Sequence, residues 1–155
     1  MSRKSELPLY TGGCQCGAVR FRTSQLLDNA HICFCRMCQR ASGGMAMGWV
    51  GVANPALTWT KGLPNTFSSS QGVGRGFCSD CGTTLYFSRV SRTYQFLALA
   101  AFDDPHDIEI RFTLGNESKL DQLAQCSEVP AHNLIEDTEN FERARLTNKQ
   151  FKVNR

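Results

Sequence analysis

The sequence contains no apolar run approaching the roughly 18 residues that a membrane span requires, so no transmembrane helix and no membrane partner are expected. Its first residues, Met1-Ser2-Arg3-Lys4-Ser5-Glu6, include no apolar stretch of signal-peptide length, and the expectation is a cytoplasmic protein. There is no Ser/His/Asp arrangement, no phosphate-binding loop and no carboxylate pair. There is also no basic run and no aromatic-basic interleaving, so nucleic acid is not expected as a partner. Internal repeats and low-complexity segments are absent. Histidine is scarce: His106 and His132 lie in polar, loop-like sequence, and His31 reads as a satisfied core or surface residue.

Charge is small in sum, +3, but unevenly spread. Residues 1–102 hold ten Lys and Arg against three Asp and Glu, and residues 103–155 hold seven against eleven. The first part would attract a small anion. Most of these charges nonetheless read as a solvated surface.

What is abundant is cysteine, eight residues in 155. In a reducing compartment so many thiols mean metal or redox chemistry; in an oxidising one the same pairs would be disulfides. Seven of the eight fall into motifs. Cys14-Gln15-Cys16 is a CxC, Cys33-Phe34-Cys35-Arg36-Met37-Cys38 a CxCxxC, and Cys78-Ser79-Asp80-Cys81 a CxxC; Cys126 stands alone. Zinc prefers four tetrahedral ligands, and a short spacing lets one turn aim two sulfurs at one ion. Gly12, Gly13, Gly17 and Gly82 beside the knuckles allow the tight turns this requires. The pairs Cys14/Cys16 and Cys78/Cys81 together supply a closed structural site. Cys33, Cys35 and Cys38 supply three sulfurs and leave one position open, the arrangement of a catalytic zinc. The alternative is a purely structural site with His31 or Cys126 as fourth ligand. Arg36 and Arg40, beside the triplet, are candidates for lowering thiolate pKa values or holding a substrate carboxylate, and Arg75 is a third candidate anchor.

Strand signals dominate to about residue 115. Gly17 to Thr23 alternates, with Val19 and Phe21 on one face and Arg20 and Arg22 on the other. Met45 to Val52 reads as a buried strand. Tyr94 to Phe102 is nearly continuous apolar sequence and reads as a strand, with a helix as the alternative. Asp107 to Leu114 alternates, with Ile108, Ile110, Phe112 and Leu114 on one face. Turn signals between these segments imply an all-β sandwich or barrel. One or two helical turns are expected over Arg36 to Ser42. The domain is expected to cover residues 7–120, followed by a polar tail over 121–155 with a short helix over Asn133 to Leu146.

The motifs resemble the glutathione-dependent formaldehyde-activating enzyme family, whose domain is shared with centromere protein V. The likeness is carried by Gly12-Gly13-Cys14-Gln15-Cys16-Gly17-Ala18-Val19-Arg20-Phe21, by Cys33 to Gly43, by Ser70 to Leu85 and by Phe112 to Leu120. It implies a β-tent fold of two antiparallel sheets around two zinc sites. It also implies a structural zinc on Cys14, Cys16, Cys78 and Cys81 and a reactive zinc on Cys33, Cys35 and Cys38. The implied activity is carbon–sulfur lyase chemistry, the reversible condensation of formaldehyde with glutathione to S-(hydroxymethyl)glutathione, with a small thiol such as glutathione as partner. The chain departs from the family pattern at Phe34, where histidine is common, and at Asp121-Gln122, where many members carry Pro-Trp. Two other functions fit the same cysteines: a non-enzymatic zinc module that binds protein or nucleic acid, and a redox or metal sensor.

Overall fold

The computed structural model describes residues 9–133 and 146–150. Among these residues are ten strands: β1 (Tyr10–Gly13), β2 (Arg20–Thr23), β3 (His31–Cys33), β4 (Met47–Ala53), β5 (Leu57–Lys61), β6 (Asn65–Ser70), β7 (Val73–Phe77), β8 (Thr84–Arg89), β9 (Tyr94–Ala98) and β10 (Phe112–Leu114). Two short helices accompany them, α1 (Arg36–Ser42) and α2 (Gln122–Gln125). The strands form a three-stranded sheet, β1-β2-β5, and a seven-stranded sheet, β10-β3-β4-β9-β8-β7-β6. The chain is therefore all-β. Every pairing is antiparallel except β10 with β3, where the chain returns to the sheet edge in parallel.

The alternation in β2 does what its pattern implies. Phe21 and Thr23 are fully buried, while Arg22 points to solvent. Phe21 meets Trp59 and Phe102 edge-on, at 5.8 and 5.1 Å between ring centroids. Burying a side chain of this size contributes about 2–3 kcal/mol. The seven-stranded sheet faces this cluster with Val50, Val52 and Leu97, all fully buried. Tyr86, paired with Leu97, reaches Trp59 of the other sheet at 6.2 Å.

The run from Tyr94 to Phe102 is nearly continuously apolar because β9 carries apolar side chains on both faces. Leu97 packs into the intersheet core, and its neighbour Phe96 lies on the opposite face. The run then leaves the strand as a 3-10 turn at Leu99–Ala101. The expected strand over Asp107 to Leu114 is shorter than its alternation suggests. Only Phe112–Leu114 pairs; Ile108 is buried, whereas Ile110, Phe112 and Leu114 are partly exposed at the sheet edge. Most of the helix expected over Asn133 to Leu146, residues 134–145, falls outside the described residues. No helix among the described residues is long and apolar enough to cross a membrane.

Candidate active site: two cysteine clusters and an arginine-lined cavity

The first knuckle follows β1 and the second joins β7 to β8. Cys14 and Cys78 accept turn bonds at their carbonyls from Gly17 N–H (3.1 Å) and Gly82 N–H (2.8 Å). Gly17 and Gly82 both sit in the left-handed region, at φ 76° and 74°, which a residue with a Cβ adopts only at a cost. The four sulfurs of Cys14, Cys16, Cys78 and Cys81 lie within 4.8 Å of one another. Cys14 and Cys16 are 3.6 Å apart and Cys16 and Cys78 are 3.9 Å apart. A tetrahedral zinc with bonds of about 2.3 Å places its sulfurs about 3.8 Å apart, so the donor set fits the metal. Val19 N–H donates to the Cys14 sulfur at 3.2 Å. The Thr83 hydroxyl lies 3.2 Å from the Cys81 sulfur and accepts from Gln15 N–H at 3.1 Å, tying one knuckle to the other. Burial pushes the Cys78 thiol up to about 12. For Cys81, burial is outweighed by the Thr83 side chain and backbone and by Cys16, which bring it down to about 6.

The second cluster is built at the end of β3 and the start of α1. Cys33 closes the strand, Cys35 caps the helix and Cys38 sits inside it. Their sulfurs also lie within 4.8 Å of one another. Among the described residues no His, Asp, Glu or other Cys joins them as a fourth ligand. Cys126 is exposed and donates to the Gln122 carbonyl at 3.4 Å. The triplet is held by backbone bonds and one buried amide. Gln39 Nε2 donates to the carbonyls of Phe34 (2.7 Å) and Ser118 (2.9 Å), and Phe34 N–H donates to Leu114 (2.8 Å). The Thr84 hydroxyl donates to the Ala41 carbonyl at 2.9 Å and so fastens the far end of α1 to β8. Burial, reinforced by the neighbouring sulfurs, pushes the Cys33 thiol up to about 12. For Cys35 burial is outweighed by the Cys38 and Met37 N–H groups and the adjacent sulfurs, and the thiol lies below its ordinary value.

The three sulfurs open onto a cavity of about 480 Å³. Its wall is one face of the seven-stranded sheet, and the register shows why. One row runs Phe112, His31, Trp49 across β10, β3 and β4. The next runs Arg75, Phe87, Phe96 across β7, β8 and β9. His31 stacks on Phe112 at 4.7 Å and meets Phe96 edge-on at 5.3 Å. Its Nδ1 donates to the Asn29 carbonyl at 2.9 Å. Arg75 is 8% exposed; its Nη2 donates to the Cys38 sulfur at 3.8 Å, and its Nη1 is buried with no hydrogen-bond partner among the described residues.

The other candidate residues lie elsewhere. Arg36 donates to the Gln39 side chain, and neither Arg36 nor Arg40 lines the cavity. Phe34 is also outside the lining; it is buried, with the Lys119 ammonium 5.4 Å from its ring centre. Its replacement of a polar residue therefore does not reach the cavity. Sequence reasoning missed Trp49, Phe87, Phe96, Arg89 and Arg92 as lining residues and set His31 aside. The only available signal was the alternation within single strands, which cannot say which strands become neighbours.

The model of the family described as glutathione-dependent formaldehyde-activating enzyme matches residues 9–114. A Schizosaccharomyces pombe protein that carries the name uncharacterized lyase is 28% identical over 82 residues, 53% of this chain and 59% of that one. A Rhodobacter sphaeroides protein solved by crystallography shares the fold, with a TM-score of 0.54 and 23% identity over 66% of this chain and 99% of its own. The matched segment contains all seven clustered cysteines, and on that ground the chain belongs to the glutathione-dependent formaldehyde-activating enzyme family.

Proposed function

We propose that the chain is a zinc-dependent carbon–sulfur lyase-type enzyme that makes and breaks a small thiol adduct in this cavity. Condensation of glutathione with formaldehyde, or a related reaction of another thiol, is the reaction class. The observation that carries the reading is the three-sulfur cluster opening onto a cavity without a fourth protein ligand among the described residues. Family membership and the lyase-named relative support it.

In the forward direction the thiol sulfur attacks the aldehyde carbon. A C–S bond forms, the C=O π bond breaks, and the proton that leaves sulfur ends on the oxygen. Cys33, Cys35 and Cys38 would hold a zinc ion, which would supply Lewis acidity favouring the thiolate form of the substrate and polarising the aldehyde oxygen. The protein's own groups do the rest. Arg75 Nη2 donates to the Cys38 sulfur, and Arg75 Nη1 remains for a substrate carboxylate. Arg36 and Arg40 contribute only positive charge from outside the lining. His31 Nδ1 is engaged by the Asn29 carbonyl, which leaves Nε2 as the ring nitrogen that can meet the substrate's moving proton. The aromatic walls exclude bulk water from the reacting atoms.

The test is NMR exchange spectroscopy on thiols mixed with formaldehyde, with the zinc-loaded protein and Cys35→Ser as control. Adduct exchange should exceed the buffer rate with wild type and fall to it with the variant. Equal rates in all three samples sink the reading.

A further inference from the structure

The cavity carries more information about its ligand than the family's reaction does. Three arginines line it: Arg75 buried, Arg92 half-buried and Arg89 exposed. No Asp or Glu is among the described lining residues, and none of the three arginines forms an ion pair among the described residues. Arg75 presents a buried N–H group without a partner among the described residues, which is costly unless a ligand supplies an acceptor. A carboxylate is the acceptor that matches a guanidinium edge.

A cation fares differently. It would face three positive groups and no carboxylate. Two of the aromatic rings that might attract it already carry guanidinium groups: Arg75 and Arg89 lie 5.0 and 5.6 Å from the Phe87 centre, and Arg92 lies 5.8 Å from that of Phe96. The remaining wall, with Trp49, Val73, Phe112 and Leu114, is apolar and encloses a volume suited to a small molecule.

We infer that the ligand of this cavity is a carboxylate with an apolar, ring-sized body and no ammonium group, and that glutathione, whose γ-glutamyl end carries an ammonium, fits it less well. The inference rests on the reading of the cavity as the substrate site, and it names the substrate class of that site. Arg75 is the residue that selects the anion, while Arg89 and Arg92 repel a cation and guide the anion inward.

The experiment uses the zinc-loaded protein and three thiol-free probes with one shared body: 3-phenylpropanoate, phenylalanine and 3-phenylpropan-1-ol. They differ only in carboxylate and ammonium, and binding is measured by titration calorimetry. The acid should bind at least tenfold tighter than either of the others. In Arg75→Gln, checked for folding by circular dichroism, acid and alcohol should bind within twofold of each other. Should that variant not fold, Arg92→Gln should narrow the acid-to-phenylalanine ratio at least threefold. Phenylalanine binding as tightly as the acid overturns the inference, as does alcohol matching acid or no binding of any probe. An acid preference that survives Arg75→Gln overturns it too, because the metal rather than the arginine would then be the anchor. Since no probe carries a thiol, the outcome is independent of adduct exchange. Acid-selective binding without exchange would remove the proposed reaction and leave the ligand class standing; exchange without acid selectivity would do the reverse.

Discussion

Gly115 lies flush against Cys35: a Cβ at that position would stand 2.8 Å from the Cys35 backbone nitrogen and 3.2 Å from its Cα. Gly115 also has a φ of +73° and begins the turn whose Ser118 carbonyl anchors Gln39. The chain after β10 is thus pressed onto the loop that carries the three-sulfur cluster, and both contacts involve backbone that cannot rotate away.

Gly115→Ala should therefore destabilise the fold by about 2 kcal/mol or more, from left-handed strain plus the collision. It should also displace Cys35 and lower zinc content toward one ion per chain. Urea denaturation and elemental analysis on the same sample check both parts. A variant with wild-type stability and two zincs would show that the loop yields freely.

The two clusters should respond differently to loss of one sulfur. Cys81→Ser removes a ligand from the site that joins the two sheets, and the product should be insoluble or unfolded, since a structural zinc contributes directly to folding. Cys35→Ser should stay folded, keep one tightly held zinc and lose the second. Circular dichroism with zinc stoichiometry separates the cases. Identical behaviour of the two variants would mean that the division into a closed and an open site is wrong.

Asp103 provides a pH test away from the sulfurs. Arg20 donates to its carboxylate, as does the Thr11 hydroxyl at 2.6 Å, while Asp103 N–H donates to the Thr11 carbonyl at 2.9 Å. Burial pushes this carboxyl up, but Arg20 and Thr11 outweigh it and hold it below its ordinary value. A folded value below the unfolded one, about 3.9, contributes stability above that pH, and the contribution is lost as pH falls through the folded value. Asp103→Asn should be less stable than wild type by about 2 kcal/mol near neutrality. The gap should stay flat down to about pH 5 and narrow below about pH 4. Urea titrations of both proteins across that range measure it. An unchanging gap down to pH 3 would assign the effect to packing instead of charge.

The grouping of the cysteines into a four-sulfur and a three-sulfur cluster was readable from the chain because knuckle geometry is local: two or three residues decide whether two sulfurs converge. The inward set at β2 and the residue before it was readable for a similar reason, since local alternation suffices to place Val19 and Phe21 together. The cavity was not. Arg75, Phe87 and Phe96 become neighbours only through the pairing of β7, β8 and β9, and Phe112 reaches His31 only because β10 returns in parallel. The same return explains why the alternation over Asp107 to Leu114 misled. It belongs partly to a segment that turns at Pro105 to Ile108 and hangs on Ala30 through Arg111 N–H, with just three residues in the sheet.

The clasp between Cys14/Cys16 and Cys78/Cys81 also sets an order of events during synthesis. The first knuckle leaves the ribosome more than sixty residues before its partner and can present only two sulfurs until then. The triplet at Cys33, Cys35 and Cys38 emerges complete in one short stretch. A nascent chain of this protein can thus bring the three-sulfur cluster together before the four-sulfur one. The four-sulfur cluster forms only once the second hairpin is made, so the thiols of the first knuckle stay unclustered through that interval.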